Sequence, residues 1–103
     1  MKELRAVLID SIQAIDQTTE LFYQQKREEG YKQLDKTLST LTHTLNCLFN
    51  YKSEGNDIGI EENQLNSVLI EAMKAIEAKD TILLSDILQY DLKEVLEKVL
   101  SNF

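Results

Sequence analysis

The sequence predicts an all-α protein, an antiparallel up-down-up-down four-helix bundle forming a single domain over residues 1–103. Three observations predict it. No proline occurs anywhere in the chain, so nothing strips a helix of a backbone donor or kinks it. Apolar residues recur at three- and four-residue steps through four segments, the period that places them on one helix face. Only one tract, SEGNDIG at Ser53–Gly59, concentrates loop-forming residues. The chain is 43% hydrophobic, enough apolar surface to offset chain entropy and form one core.

The first helix is expected over about residues 2–25. Leu4, Leu8, Ile12, Ile15 and Phe22 form its apolar stripe, widened by Val7, Ile9 and Leu21. Thr18 and Thr19 interrupt that stripe between Ile15 and Phe22. The polar run QQKREEG then breaks the rhythm. Gly30 within it either terminates the first helix in the left-handed conformation or lies inside the second.

The second helix, about residues 29–52, carries a ladder of Tyr31, Leu34, Leu38, Leu41, Leu45 and Leu48. Its alternating steps return to the same face every two turns, which specifies a packing seam. Leu41 and Leu45, at its centre, are expected to be nearly fully buried. A third helix follows over about residues 60–78, with Leu65, Val68, Leu69, Ala72, Met73, Ala75 and Ile76. Asp80 reads as the N-cap of the fourth, because its carboxylate can accept from amides of the first turn. The connection is so short that the last two helices must form an antiparallel hairpin.

The fourth helix, about residues 81–101, is the most apolar. Leu84, Leu88, Leu92, Val95 and Val99 form its stripe, and Ile82, Leu83, Ile87, Tyr90, Leu96 and Leu100 spread apolar character over a wider arc. Such an arc either fills a bundle centre or contacts a second subunit. Helices of matched length, roughly 30–36 Å at about 1.5 Å per residue, suit a simple bundle.

Charge narrows the function. The net charge of −7 falls in the second half: residues 54–103 hold eleven acidic and four basic residues, while residues 1–53 balance at seven of each. That distribution disfavours nucleic acid, whose phosphates need cationic partners, and anionic membrane surfaces. No apolar run approaches a membrane span, and Asp10 and Asp16 interrupt the N-terminal stretch before a signal-length core develops. A cytoplasmic protein is expected. Cys47 is the single cysteine, which excludes an intrachain disulfide and a cysteine-based zinc cluster.

Catalytic and cofactor motifs are absent from the pattern. His43 is the single histidine, two residues from Leu41 and Leu45 and so turned from the ladder. Thr40, not a glutamate, precedes it by three, so the Glu-x-x-His ligand pair of di-iron bundles is missing. Cys47 reads as a small hydrophobe with no neighbouring cation. Glu28-Glu29 and Glu61-Glu62 sit at helix starts, where they complement the dipole. No catalytic, cofactor-binding or metal-binding residues are therefore assigned.

Partner contact is the remaining possibility. Thr37, Thr40 and Thr44, continued by Cys47 and Tyr51, form a second stripe beside the ladder. A fully solvated face would more often carry Glu, Lys or Gln, so this stripe is either a boundary between core and solvent or a shallow groove for another helix. Leu83 and Tyr90 are the corresponding candidates on the fourth helix. The expected partners are proteins, a second copy or a helical client, and a homodimer that includes the fourth helix, with Tyr90 or Leu83 near the contact, is expected.

Two stretches carry a resemblance. EEGYKQLDKTLSTL (Glu28–Leu41) and EAMKAIEAKDTILLSDILQYDL (Glu71–Leu92) resemble segments of small, uncharacterised helical-bundle proteins of Firmicutes. The general plan of size, helicity and acidity is also similar to flagellar-type export chaperones. That likeness implies a non-enzymatic interaction module, a chaperone or adaptor for a helical client. A structural or regulatory homo-oligomer is the alternative.

Overall fold

The computed structural model describes residues 2–103. Four helices pack together, and no strand occurs among the described residues. The first, α1, spans Lys2–Tyr23, and the second, α2, spans Arg27–Ser53. The third, α3, spans Glu62–Glu77. The fourth, α4, covers residues 81–100 as two α-helical pieces, Thr81–Asp86 and Lys93–Leu100, around a π-helical stretch, Ile87–Leu92. At 27 residues α2 is about 40 Å long, and it sets the 42 Å long axis of the molecule.

Side-chain pairs fix the directions. Along the α1–α2 seam Ser11 meets Thr44, Thr18 meets Thr37, and Phe22 meets Gly30. Position rises on one helix as it falls on the other, so the two are antiparallel. Between α1 and α4 the pairs are Asp16 with Lys93, Thr19 with Gln89, and Tyr23 with Asp86, again antiparallel. Asp80 caps α4 as its chemistry predicts, accepting from the Leu83 amide at 3.0 Å. Lys79, at φ 56°, makes the left-handed turn between α3 and α4.

Gly30 lies inside α2. The chain reverses earlier, through Gln25 at φ 62°. What Gly30 provides is space: a Cβ there would stand 2.5 Å from two ring carbons of Phe22. The Phe22 ring fills that room and meets Tyr31 edge-on, with centroids 5.3 Å apart.

The core contains Leu4, Leu8, Ile15 and Phe22 of α1, Leu34, Leu41 and Leu48 of α2, and Leu65, Ala72 and Ala75 of α3. It also takes in Leu84, Ile87, Leu88, Leu92, Val95, Leu96 and Val99 of α4. The wide apolar arc of α4 is thus largely explained by its central place, since it packs against both α1 and α3. Ile82, Leu83 and Tyr90 remain exposed.

Two expectations need correction. The helices are not matched in length, because α3 has only 16 residues. The segment before it is longer than the SEGNDIG tract: Ile58 inserts into the core at 1% exposure, and α3 begins only at Glu62. Gly59, at φ +83°, turns the chain there, and its amide donates to the Asp57 carboxylate. The ladder also divides. Leu34, Leu41 and Leu48 are buried, whereas Tyr31 and Leu45 are half-buried and Leu38 is exposed.

Candidate functional site: an apolar groove between α2 and α3

The division of the ladder follows from what lies across from each residue. The buried face of α2, which meets α1 through Gly30, Thr37 and Thr44, reads Gly30, Leu34, Thr37, Leu41, Thr44, Leu48, with steps of four and three. It shares Leu34, Leu41 and Leu48 with the leucine ladder but replaces the other rungs with small or polar residues. Small side chains let two helix backbones approach closely.

The threonines on this seam are satisfied within it. Thr44 Oγ1 donates to the Val7 carbonyl at 3.1 Å, which leaves it to accept the Ser11 hydroxyl at 2.6 Å. Thr37 Oγ1 faces the carbonyls of Gln33 at 2.9 Å and Ala14 at 3.1 Å, and accepts from Thr18 at 2.7 Å. Each hydroxyl has one proton and free lone pairs, so these chains have a single consistent direction. No buried side-chain nitrogen or oxygen lacks a partner among the described residues.

Of the six candidate contact residues, Thr37 and Thr44 are therefore unavailable to a partner: both are fully enclosed against α1. Thr40 is half-buried and returns its hydroxyl to the Lys36 carbonyl at 3.0 Å. Tyr51 is half-buried and packs edge-on against Phe103. Leu83 and Tyr90 are exposed, at 47% and 64%. The structure does not bring these six residues together.

The groove lies on the other side of the ladder. Helix α2 packs extensively on α1, while α3 packs on α4, and the space between α2 and α3 is left as an apolar cleft of about 220 Å³. Leu34, Leu38, Leu41, Thr42 and Leu45 form one wall, and Leu69, Ala72, Met73 and Ile76 form the other. Leu84, Leu88 and Leu92 of α4 make the floor. Thr42 alone brings a polar group, and its hydroxyl is already bonded to the Leu38 carbonyl at 2.8 Å. Leu38 and Met73 stand at the rim, 39% and 60% exposed. The cleft is smaller than the roughly 300–1,000 Å³ of small-molecule pockets and lacks their converging polar groups.

The opposite junction, between α1 and α4, is polar, and its side chains bond to one another along a shallow, open concavity of about 410 Å³. The π-helical stretch turns Gln89 toward α1. With its amide nitrogen facing that helix, Gln89 donates to Thr19 Oγ1 at 3.0 Å and Asp16 Oδ1 at 3.1 Å, and its oxygen accepts from Lys93 Nζ at 3.3 Å. Lys93 also pairs with Asp16 at 2.8 Å. Beside them the Tyr23 hydroxyl donates to Asp86 at 2.6 Å. Desolvation of the phenol, then the bond to Asp86 and its charge, push the Tyr23 hydroxyl well above the ordinary tyrosine range.

The family of the chain follows from its whole length. A family model described as a domain of unknown function, DUF8042, matches residues 1–102. The chain belongs to that family. No curated protein and no solved structure matches it. No helix of the described residues is long and apolar enough to cross a membrane.

The signal for the groove was present in the sequence. Leu38 and Leu45 belong to the ladder, and Met73 and Ile76 to the third helix, but which neighbour they face depends on the α1–α2 seam. That seam is set by hydroxyl pairs far apart in sequence.

Proposed function

We propose that this protein is a non-enzymatic interaction module whose α2–α3 groove receives one amphipathic helix from a client protein. The observation that carries this reading is a partly enclosed, almost wholly apolar cleft flanked by two helices that pack little on each other. From Leu38 to Leu45 and from Leu69 to Ile76 the walls run about 10 Å, or roughly two helical turns. That length accommodates anchors at i, i+3 or i+4, and i+7, the pattern of helix-in-groove recognition.

Charge supports a client of stated character. The chain carries −7. Asp35 lies one turn before Leu38, and Glu77 one turn after Met73. A helix with basic residues flanking its apolar stripe is steered toward such a surface, and an acidic one is repelled. The reading agrees with the general likeness of the chain to flagellar-type export chaperones.

Fluorescence anisotropy with a labelled amphipathic peptide tests it. A lysine-flanked peptide is expected to bind the parent protein saturably and to lose affinity in Leu38→Glu and Met73→Glu. Tyr90→Glu, on α4, is expected to bind as the parent does. Equal affinity across all these variants, or preference for a glutamate-flanked peptide, would overturn the proposal.

The exposure of Ile82, Leu83 and Tyr90 favours a second reading, a homodimer through α4 with a structural or regulatory role. Light scattering separates the two. A dimer lost in Leu83→Glu supports the homo-oligomer, and a monomer that binds the peptide supports the client reading.

A further inference from the structure

We propose that Glu3, His43 and Cys47 form a binding site for a divalent metal ion of borderline softness, with zinc the best match. His43 and Cys47 lie one turn apart on α2, their Nε2 and Sγ atoms 3.9 Å from each other. The third donor comes from α1, whose first turn places the Glu3 carboxylate over this turn of α2. One ligand atom from each residue lies within 4.8 Å of the other two.

That spacing is close to what a tetrahedral ion requires. With Zn–N near 2.1 Å and Zn–S near 2.3 Å, neighbouring ligand atoms stand about 3.6 Å apart. Glu3 and His43 are exposed and Cys47 is half-buried, so side-chain rotations of the first two can close the difference without moving a helix. The cysteine is the fixed point.

The donor set selects the class of ion. A single sulfur beside a nitrogen and an oxygen is poorly suited to copper(I), and a thiolate with an imidazole is too soft for magnesium or calcium. Thiolate and carboxylate together offset the two positive charges of zinc, and the thiol proton passes to solvent as the metal binds. Beside Glu3 and Cys47 lies a concavity of about 230 Å³, lined also by Leu4, Asn50, Tyr51 and Glu54, with room for a water as the fourth ligand. Occupancy would tie the start of α1 to α2, on a face of α2 away from the groove.

Cobalt(II), added to the full chain free of any histidine tag, reports the site by its spectrum. The expected result is one equivalent bound, with visible ligand-field bands and a near-ultraviolet thiolate charge-transfer band that zinc bleaches. Cys47→Ser is expected to lose the charge-transfer band. His43→Ala and Glu3→Gln, at exposed positions, are expected to keep the parent's far-ultraviolet circular dichroism. Each should weaken binding by at least the roughly 10–100-fold lost with an outer-shell partner alone. No charge-transfer band on cobalt addition, or parental affinity in His43→Ala and Glu3→Gln, would refute the site.

Discussion

Thr18 of α1 and Thr37 of α2 share a hydrogen bond of 2.7 Å, and both are completely buried. The bond joins two helices through residues that each interrupt an apolar stripe. Thr37 passes its own proton to a carbonyl, so Thr18 must be the donor between them.

This direction gives the two threonines unequal roles. Thr37→Val is expected to cost about 1–3 kcal/mol, because it leaves the Thr18 hydroxyl buried without its acceptor. Thr18→Val leaves Thr37 bonded to backbone and should cost less. The double variant is expected to recover part of the Thr37→Val loss, since removing both partners spares the unpaired group. Denaturant midpoints of the four proteins in the cycle check this.

Gly30→Ala sets helix propensity against space. Alanine favours an exposed helix interior by about 1 kcal/mol over glycine, yet here its methyl would meet the Phe22 ring. Overpacking of about 1–3 kcal/mol is expected to win, giving a lower melting temperature. Adding Phe22→Leu should reduce the penalty attributable to Gly30→Ala, measured against Phe22→Leu alone.

The divided ladder makes a graded test. Leu41, 4% exposed, is expected to lose about 2–5 kcal/mol on replacement by alanine. Leu38, at the rim, is expected to lose less than about 1 kcal/mol, with half-buried Leu45 between them. Urea unfolding of the three variants reads the order directly.

Tyr23 gives the pH dependence. Its folded hydroxyl ionises at higher pH than in the unfolded chain, so its contribution is fully present below about pH 10, the ordinary value for tyrosine. Above that the unfolded state releases the proton first and stability falls, until the folded hydroxyl ionises too. The stability difference between the parent and Tyr23→Phe is expected to narrow as pH rises from 9 to 11. A difference that stays constant or widens over that range would show that Asp86 does not hold the proton there.

Much of this architecture was legible in the residues. The four helices and the Asp80 cap follow from period and loop chemistry, whereas the wide apolar arc of α4 fits a bundle centre and a subunit contact equally well until its neighbours are known. The seam was harder to place, because a ladder with steps of three and four fits two adjacent helix faces that share Leu34, Leu41 and Leu48. Leucine is more hydrophobic than threonine, so the leucine-rich face suggests the core. The hydroxyls of Ser11 and Thr18 reverse that choice by making buried Thr44 and Thr37 inexpensive to desolvate. Likewise the local sequence around His43 lacks a third metal ligand, since Glu3 reaches it only through the packing of α1 on α2.

Methyl-resolved NMR locates the surface that a partner helix occupies, expected to be the α2–α3 groove. A methyl-labelled chain is titrated with the lysine-flanked amphipathic peptide. Saturable shifts are expected at Met73, Leu38, Leu45, Leu69 and Ile76, with Ile82 and Leu83 unmoved. Shifts centred on Ile82 and Leu83, or no saturable shift at the groove methyls, would contradict that placement.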